Sequence, residues 1–359
     1  MNPLYYQKFK RIIELAIEEQ ASDVHFSAYH PPTFRIERRL VPLTRFRNLS
    51  PEDTKEIAFV LLTEEQKQRF FRRKELDLSY EFEKKARFRV NVFYQRDSIS
   101  VAMRLVPAKI RTLEELNLPN ALHEFAEAAQ GFVLITGPSS QGKSTTLAAL
   151  IDEVNHKKPV HIITIEDPIE YFFEDDRAIV DQREVGIDTL SFAEALRSTF
   201  RQDPDVIMVG EMRDPETIAT AITAAETGHL VFSTLHTNSA AQTIHRIVDS
   251  FAPAQQGQIR AQLSGSLLGV ISQRLVPRVS GGLIPACEIM IATPAVANLI
   301  RENKIHEIPM IIETSSQLGM IGLNKALANL IRAEEISMKS ALQYSLNPAE
   351  LRRLAVRPG

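Results

Sequence analysis

Residues Gly137-Pro138-Ser139-Ser140-Gln141-Gly142-Lys143-Ser144-Thr145 match the phosphate-loop pattern and lie between an apolar run and a helical one. Upstream, Phe132-Val133-Leu134-Ile135-Thr136 is the short continuous apolar segment that a buried parallel strand needs. Downstream, Thr145-Thr146-Leu147-Ala148-Ala149-Leu150-Ile151 spaces apolar residues as a helix does. This order commits the region to a strand, a tight glycine-bearing turn and a helix packed against a parallel sheet. The glycines let backbone amides wrap a phosphate chain, and the helix start adds partial positive charge. Lys143 can reach terminal phosphates, and the Ser144 hydroxyl can ligate magnesium. The pattern therefore implies binding of a nucleoside triphosphate.

From about residue 118 onward, apolar strands alternate with helices, as a parallel sheet requires. Strands are predicted at 131–136, 160–166, 205–210 and 228–234. Ile162-Ile163-Thr164-Ile165-Glu166-Asp167-Pro168-Ile169-Glu170 is an apolar strand ending in three carboxylates. Ligands of open parallel sheets collect at the carboxyl ends of strands, so these acids are expected near the phosphates. Val206-Ile207-Met208-Val209-Gly210-Glu211 repeats the arrangement, and Glu211 could act on magnesium or on its water shell. His229 and His236 bracket a fourth strand whose end should face the same site. They could sense a terminal phosphate, bridge to a neighbouring subunit, or serve structure alone.

The first hundred residues have a different period. A helical face over 4–22 precedes alternating segments at Thr33-Phe34-Arg35-Ile36-Glu37, at 76–82, at Ala86-Arg87-Phe88-Arg89-Val90-Asn91-Val92-Phe93 and at 98–106. A second helix is predicted over 51–71. The expected organisation is an α+β domain over 1–106, a linker over 107–117 and a core domain over 118–359 that ends in a helical region. The run Arg69-Phe70-Phe71-Arg72-Arg73-Lys74 reads as the solvated end of a helix, because no other basic cluster accompanies it.

Lys plus Arg total 42 against 45 for Asp plus Glu, a net charge of −3 that offers no global field for nucleic acid or an anionic membrane. The single cysteine, Cys287, excludes an internal disulfide framework and fits a reducing compartment, which points to the cytoplasm. The start of the chain lacks the order of a signal peptide, and no apolar run approaches the roughly 20 residues of a membrane span. No direct membrane insertion is expected.

Taken together, the segments resemble the secretion-type ATPases of type II secretion and type IV pili, over nearly the whole length. Ala21-Ser22-Asp23-Val24-His25-Phe26 is similar to the family's early signature, and Arg87-Phe88-Arg89-Val90-Asn91-Val92-Phe93 to its arginine-bearing strand. Residues 137–145 are similar to its Walker A motif, 163–170 to its Asp box, 203–214 to its Walker B region and 227–238 to its His box. The resemblance implies a RecA-like P-loop core with a smaller PAS-like N-terminal domain, working as a homohexamer that hydrolyses ATP with Mg2+. It implies Glu170 as general base and Glu211 as organiser of magnesium. It also implies that Arg87, Arg89 and Arg104 approach the nucleotide of the next subunit.

Within the family, Thr293-Pro294-Ala295-Val296-Ala297-Asn298-Leu299-Ile300-Arg301-Glu302 resembles a segment of the retraction motors of twitching motility. An arginine is usual where this chain has Ala297. Gln141 replaces a common serine, and Glu37-Arg38 stands where an Asp-Gly or Asn-Gly turn is common. The chain also lacks the long extra N-terminal domain of many assembly ATPases, which favours the retraction architecture. The expected partners are an inner-membrane pilus platform protein and a sister retraction ATPase, with no nucleic acid. An assembly-type secretion ATPase, an accessory subunit with slow turnover and a DNA-directed hexameric translocase are the competing readings.

Overall fold

The computed structural model describes residues 3–36, 39–83, 85–106 and 109–356. Glu37 and Arg38, and Pro107 and Ala108 of the expected linker, lie outside the described residues. Two compact units divide the chain: Met1–Lys109 with Pro168–Phe172, and Ile110–Asp167 with Phe173–Gly359. The short segment Pro168–Phe172 thus belongs to the first unit although the sequence on both sides of it belongs to the second.

Six strands form one antiparallel sheet in the first unit: β1 (Asp23–Phe26), β2 (Thr33–Ile36), β3 (Arg39–Pro42), β4 (Glu75–Phe82), β5 (Ala86–Gln95) and β6 (Ser98–Val106). Their order across the sheet is β3-β2-β1-β6-β5-β4. Side chains alternate between faces along each strand, so Phe88, Val90 and Val92 enter the core while Arg87, Arg89 and Asn91 take the other face. Helices α1 (Pro3–Glu18), α2 (Pro51–Leu61) and α3 (Glu64–Arg73) bring Phe9, Ile13, Ile57 and Phe70 into the same core.

The apolar spacing over 51–71 predicts one helix, and the structure has two. Thr63 accepts a hydrogen bond from the Gln66 amide, and the Gln66 side chain accepts one from the Thr63 amide. That reciprocal cap starts a new helix in the middle of the apolar pattern. Arg72 and Arg73 fall in the last turn of α3, where positive charge suits the helix dipole.

The second unit contains α4 (Ala121–Glu127), β7 (Gly131–Thr136), α5 (Lys143–Lys157), β8 (His161–Glu166), β9 (Ile179–Glu184), α6 (Phe192–Thr199), β10 (Val206–Val209), α7 (Pro215–Glu226), β11 (Leu230–Leu235), α8 (Ala240–Asp249), α9 (Pro253–Ser266), β12 (Leu267–Pro277) and β13 (Leu283–Ile291). One seven-stranded sheet runs β13-β12-β7-β11-β10-β8-β9, parallel except for the β12–β13 hairpin. Every residue of β7, β10 and β11 is buried, as central strands covered on both faces require. The α/β class and four strands lie where the apolar runs place them. β9, β12 and β13 extend the sheet beyond those runs.

The chain finishes in α10 (Pro294–Arg301), α11 (Ile308–Thr314), α12 (Leu323–Arg332), α13 (Met338–Tyr344) and α14 (Pro348–Val356). Val276, Ile284 and Ala286 of the hairpin pack with Leu323, Leu327 and Leu351, which ties this helical region to the sheet. Among the described residues no helix is long and apolar enough to cross a membrane.

Candidate active site

At the carboxyl edge of the second unit's sheet, β7 ends at Thr136 and residues 137–142 turn into α5. Gly137 has φ +148°, and a Cβ there would lie 2.6 Å from the Gln273 carbonyl oxygen. Gly142, the N-cap of α5, has φ +79°, and a Cβ there would meet Gln273 Nε2 at 2.9 Å. Both positions therefore need glycine for conformation and for space. No side chain caps α5, the condition under which a helix start receives an anion. Lys143 is buried, and its Nζ donates to the Gly137 and Pro138 carbonyls at 3.0 Å each.

The same ammonium stands 3.3 Å from His236 Nδ1, just beyond the end of β11. His236 Nε2 stands 3.1 Å from Glu211 Oε1. An ammonium only donates, so Nδ1 accepts and the ring proton lies on Nε2, donated to the carboxylate. Glu211 Oε2 accepts from Arg213 Nε at 3.0 Å, and Arg213 Nη1 is 3.6 Å from Asp167 Oδ2. A chain of polar groups thus crosses the sheet edge from Lys143 to Asp167.

The three carboxylates that end β8 have separate destinations. Glu166 is buried and accepts from the Thr164 hydroxyl at 2.7 Å and from Gln182 Nε2 at 3.0 Å, which makes it part of the packing between β8 and β9. Asp167 faces Arg213. Glu170 lies in Pro168–Phe172 with the first unit, where its Oε1 is 3.2 Å from Arg89 Nη1. Proximity to the phosphates through strand-end topology alone therefore does not follow for all three.

The three arginines share one face of the first unit's sheet. Arg89 pairs across the ladder with Arg104, and Arg87 lies two residues along β5. Arg104 Nε donates to Asp23 Oδ1 at 2.9 Å, and the Arg87 guanidinium stacks 3.3 Å over the Phe172 ring.

Within the second unit, His229 lies away from the phosphate loop. It precedes β11 at the end where Leu230 pairs with Gly131, the amino edge of the sheet. His236 lies at the opposite edge, about 20 Å away at strand rise. His229 Nδ1 instead stands 2.9 Å from the Ala224 carbonyl, and its ring packs edge-on against Phe200. Within one subunit the phosphate loop and His229 are not brought together, because the two ends of a strand lie on opposite edges of a parallel sheet.

These groups suit a polyphosphate with a hard cation. Ser144 and Glu211 offer oxygen donors of the kind magnesium takes. Among the described residues no group of three or more His, Cys, Asp or Glu could hold a metal, so phosphate and water oxygens would complete its shell.

The family described as type II/IV secretion system protein matches residues 3–339. The chain belongs to that family. A Pseudomonas aeruginosa member, the type IV pilus retraction ATPase PilT, is 45% identical over 340 residues, 94% of this chain and 98% of its own length. The type IV pilus ATPase PilU of the same species is 39% identical over 346 residues, 96% of this chain and 90% of its own. A crystal structure of the pilus retraction motor PilT with bound ADP matches with a TM-score of 0.90 at 47% identity, covering 96% of this chain and 98% of that one. The family fold thus extends over nearly the whole chain, with the α/β core and the smaller N-terminal domain both included.

Sequence reading missed Gln273 and Arg274 of β12, although two long polar residues inside the apolar run 267–276 were a signal. Arg274 donates to the Gln273 carbonyl at 2.8 Å and to the Asn238 carbonyl and side-chain oxygens at 3.0 Å each, which holds the segment that follows His236. Burial pulls its pKa down, while the charge of Glu288 opposes the shift. Glu288 accepts from the Ala240 amide at 2.6 Å, and burial pushes its carboxyl up.

Proposed function

We propose that the chain is an ATP-hydrolysing motor that powers type IV pilus retraction. The single observation that carries this reading is its near full-length similarity to a pilus retraction ATPase. Residues 137–145 hold the phosphates, with Lys143 on the terminal ones and Ser144 and Glu211 toward Mg2+. When bound, the metal would neutralise charge developing on the transferred phosphoryl group. Glu170 serves as general base, which requires it to exchange Arg89 for the attacking water. Arg87, Arg89 and Arg104 serve the nucleotide of the neighbouring subunit in a homohexamer, and His236 links Lys143 to Glu211 within one subunit. His229 is assigned to a contact between subunits.

In this reading the ring is cytoplasmic and meets the inner membrane through a pilus platform protein, with a sister retraction ATPase as a second partner. Each ATP closes one subunit interface, and hydrolysis with release opens it. The test is ATPase rate against protein concentration, with size-resolved mass and DNA as a control. A hexamer whose specific activity rises with assembly and ignores DNA supports the motor. Stimulation by DNA replaces it with a translocase, and ATP binding without turnover in an assembled ring replaces it with an accessory subunit.

A further inference from the structure

We propose that Gln273 is a positioning residue for nucleotide binding, whose buried carboxamide fastens the carboxyl-terminal end of the phosphate loop to the first turn of α5. The inference rests on the ATPase reading and adds a residue to that same site. Gln273 Nε2 donates to the Gln141 carbonyl at 2.8 Å, and Gln273 Oε1 accepts from the Thr146 hydroxyl at 2.8 Å. Gln141 precedes α5 and Thr146 lies in its first turn, so one amide group spans the helix start on either side of Gly142 and Lys143. The fastening is reciprocal. Gln141 Oε1 accepts from the Leu275 amide at 2.8 Å.

Register explains why a side chain does this. Ser272 pairs with Thr136, the last residue of β7, so Gln273 stands where the ladder between β7 and β12 has ended. Among the described residues the β7–β12 ladder has no pair beyond that point, and the carboxamide takes over. An amide supplies the required donor and acceptor together; an ionised carboxylate of the same shape cannot donate to the Gln141 carbonyl. Gln273 is 2% exposed, so a partner lost here is not replaced by bulk water. A loop held in its bound shape loses less conformational freedom when the nucleotide arrives. Gln141, which stands where the resemblance makes serine common, is the half-buried member of this clasp.

Full-length Gln273→Glu and Thr146→Val would be compared with wild type and Lys143→Ala. The readouts are ADP dissociation constant at a temperature where each is folded, nucleotide-free thermal midpoint, and KM and kcat for ATP. The expected result is ADP binding weaker by roughly tenfold in Gln273→Glu and several-fold in Thr146→Val, with KM rising in step and kcat changing less. A purely structural role would lower the midpoint and leave the dissociation constant of the folded protein at its wild-type value, which overturns the proposal. If Gln273→Glu does not fold, Thr146→Val, which removes the hydroxyl that Gln273 Oε1 accepts from, decides alone: weakened binding supports the clasp and unchanged binding overturns it. If wild type binds no better than Lys143→Ala, the ATPase reading itself falls and the clasp with it. If only Lys143→Ala loses binding, the ATPase reading stands and the clasp falls.

Discussion

Arg89 Nη1 stands 3.2 Å from Glu170 Oε1, so the arginine expected to serve a neighbouring subunit and the carboxylate expected to activate water are partners within one chain. Both side chains are only part-buried, and the pair is of the kind that exchanges partners readily. The pairing joins two expectations that the sequence left separate.

Glu170→Gln should keep ATP binding and lose hydrolysis by about 100-fold or more, because an amide cannot accept the proton of the attacking water. Equilibrium binding alongside steady-state turnover checks this. Turnover near wild type would assign the base to another acid.

Arg89→Ala separates two effects with opposite signs. Freeing Glu170 alone would raise turnover, whereas removing a cation from the phosphates of the next subunit should lower it by about 100-fold or more in the assembled ring. The expected outcome is the fall, measured after confirming assembly by mass. An unchanged or faster rate removes Arg89 from the site.

Gly137→Ala places a methyl group 2.6 Å from a backbone oxygen at φ +148°. The loop must shift, at a cost of about 2–3 kcal/mol, and nucleotide binding should be lost with it. Thermal unfolding and an ADP titration on the same preparation report both consequences.

His236→Ala breaks the link between Lys143 and Glu211. The predicted signature is a kcat lowered by about 10- to 100-fold with a smaller change in ATP affinity, since the phosphate loop itself is untouched. Equal losses in both would make His236 a binding residue instead.

Glu288 supplies a pH dependence. Burial raises its pKa in the folded state, so above the unfolded value of about 4.3 the folded protein holds more protons and stability falls as pH rises. Glu288→Gln cannot ionise and should lose that decline. The midpoint difference, variant minus wild type, should grow as pH rises above the unfolded carboxyl value of about 4.3. Parallel curves would show that Glu288 does not titrate across this window.

Much of the core was legible because its signals are local. Continuous apolar runs marked β7, β8, β10 and β11, and alternation marked β5 with Arg87 and Arg89 on one face. Where a cap interrupted an apolar pattern, as at Thr63, periodicity alone ran two helices together. His229 precedes β11 and His236 follows it, so the rule that ligands gather at the carboxyl ends of parallel strands already favoured His236, and the register of β11 against β7 bears that out.

By itself the sequence determined the phosphate loop, the alternation of strand and helix that carries it, and the residue types able to bind a triphosphate. These follow from backbone conformation and side-chain period over a few residues. Only the tertiary structure decided that Glu166 is packed away, that Glu170 meets Arg89, and that Gln273 clasps the loop. Those contacts join residues 16, 81 and 132 positions apart, and long-range pairing is set by the order and register of strands in a sheet.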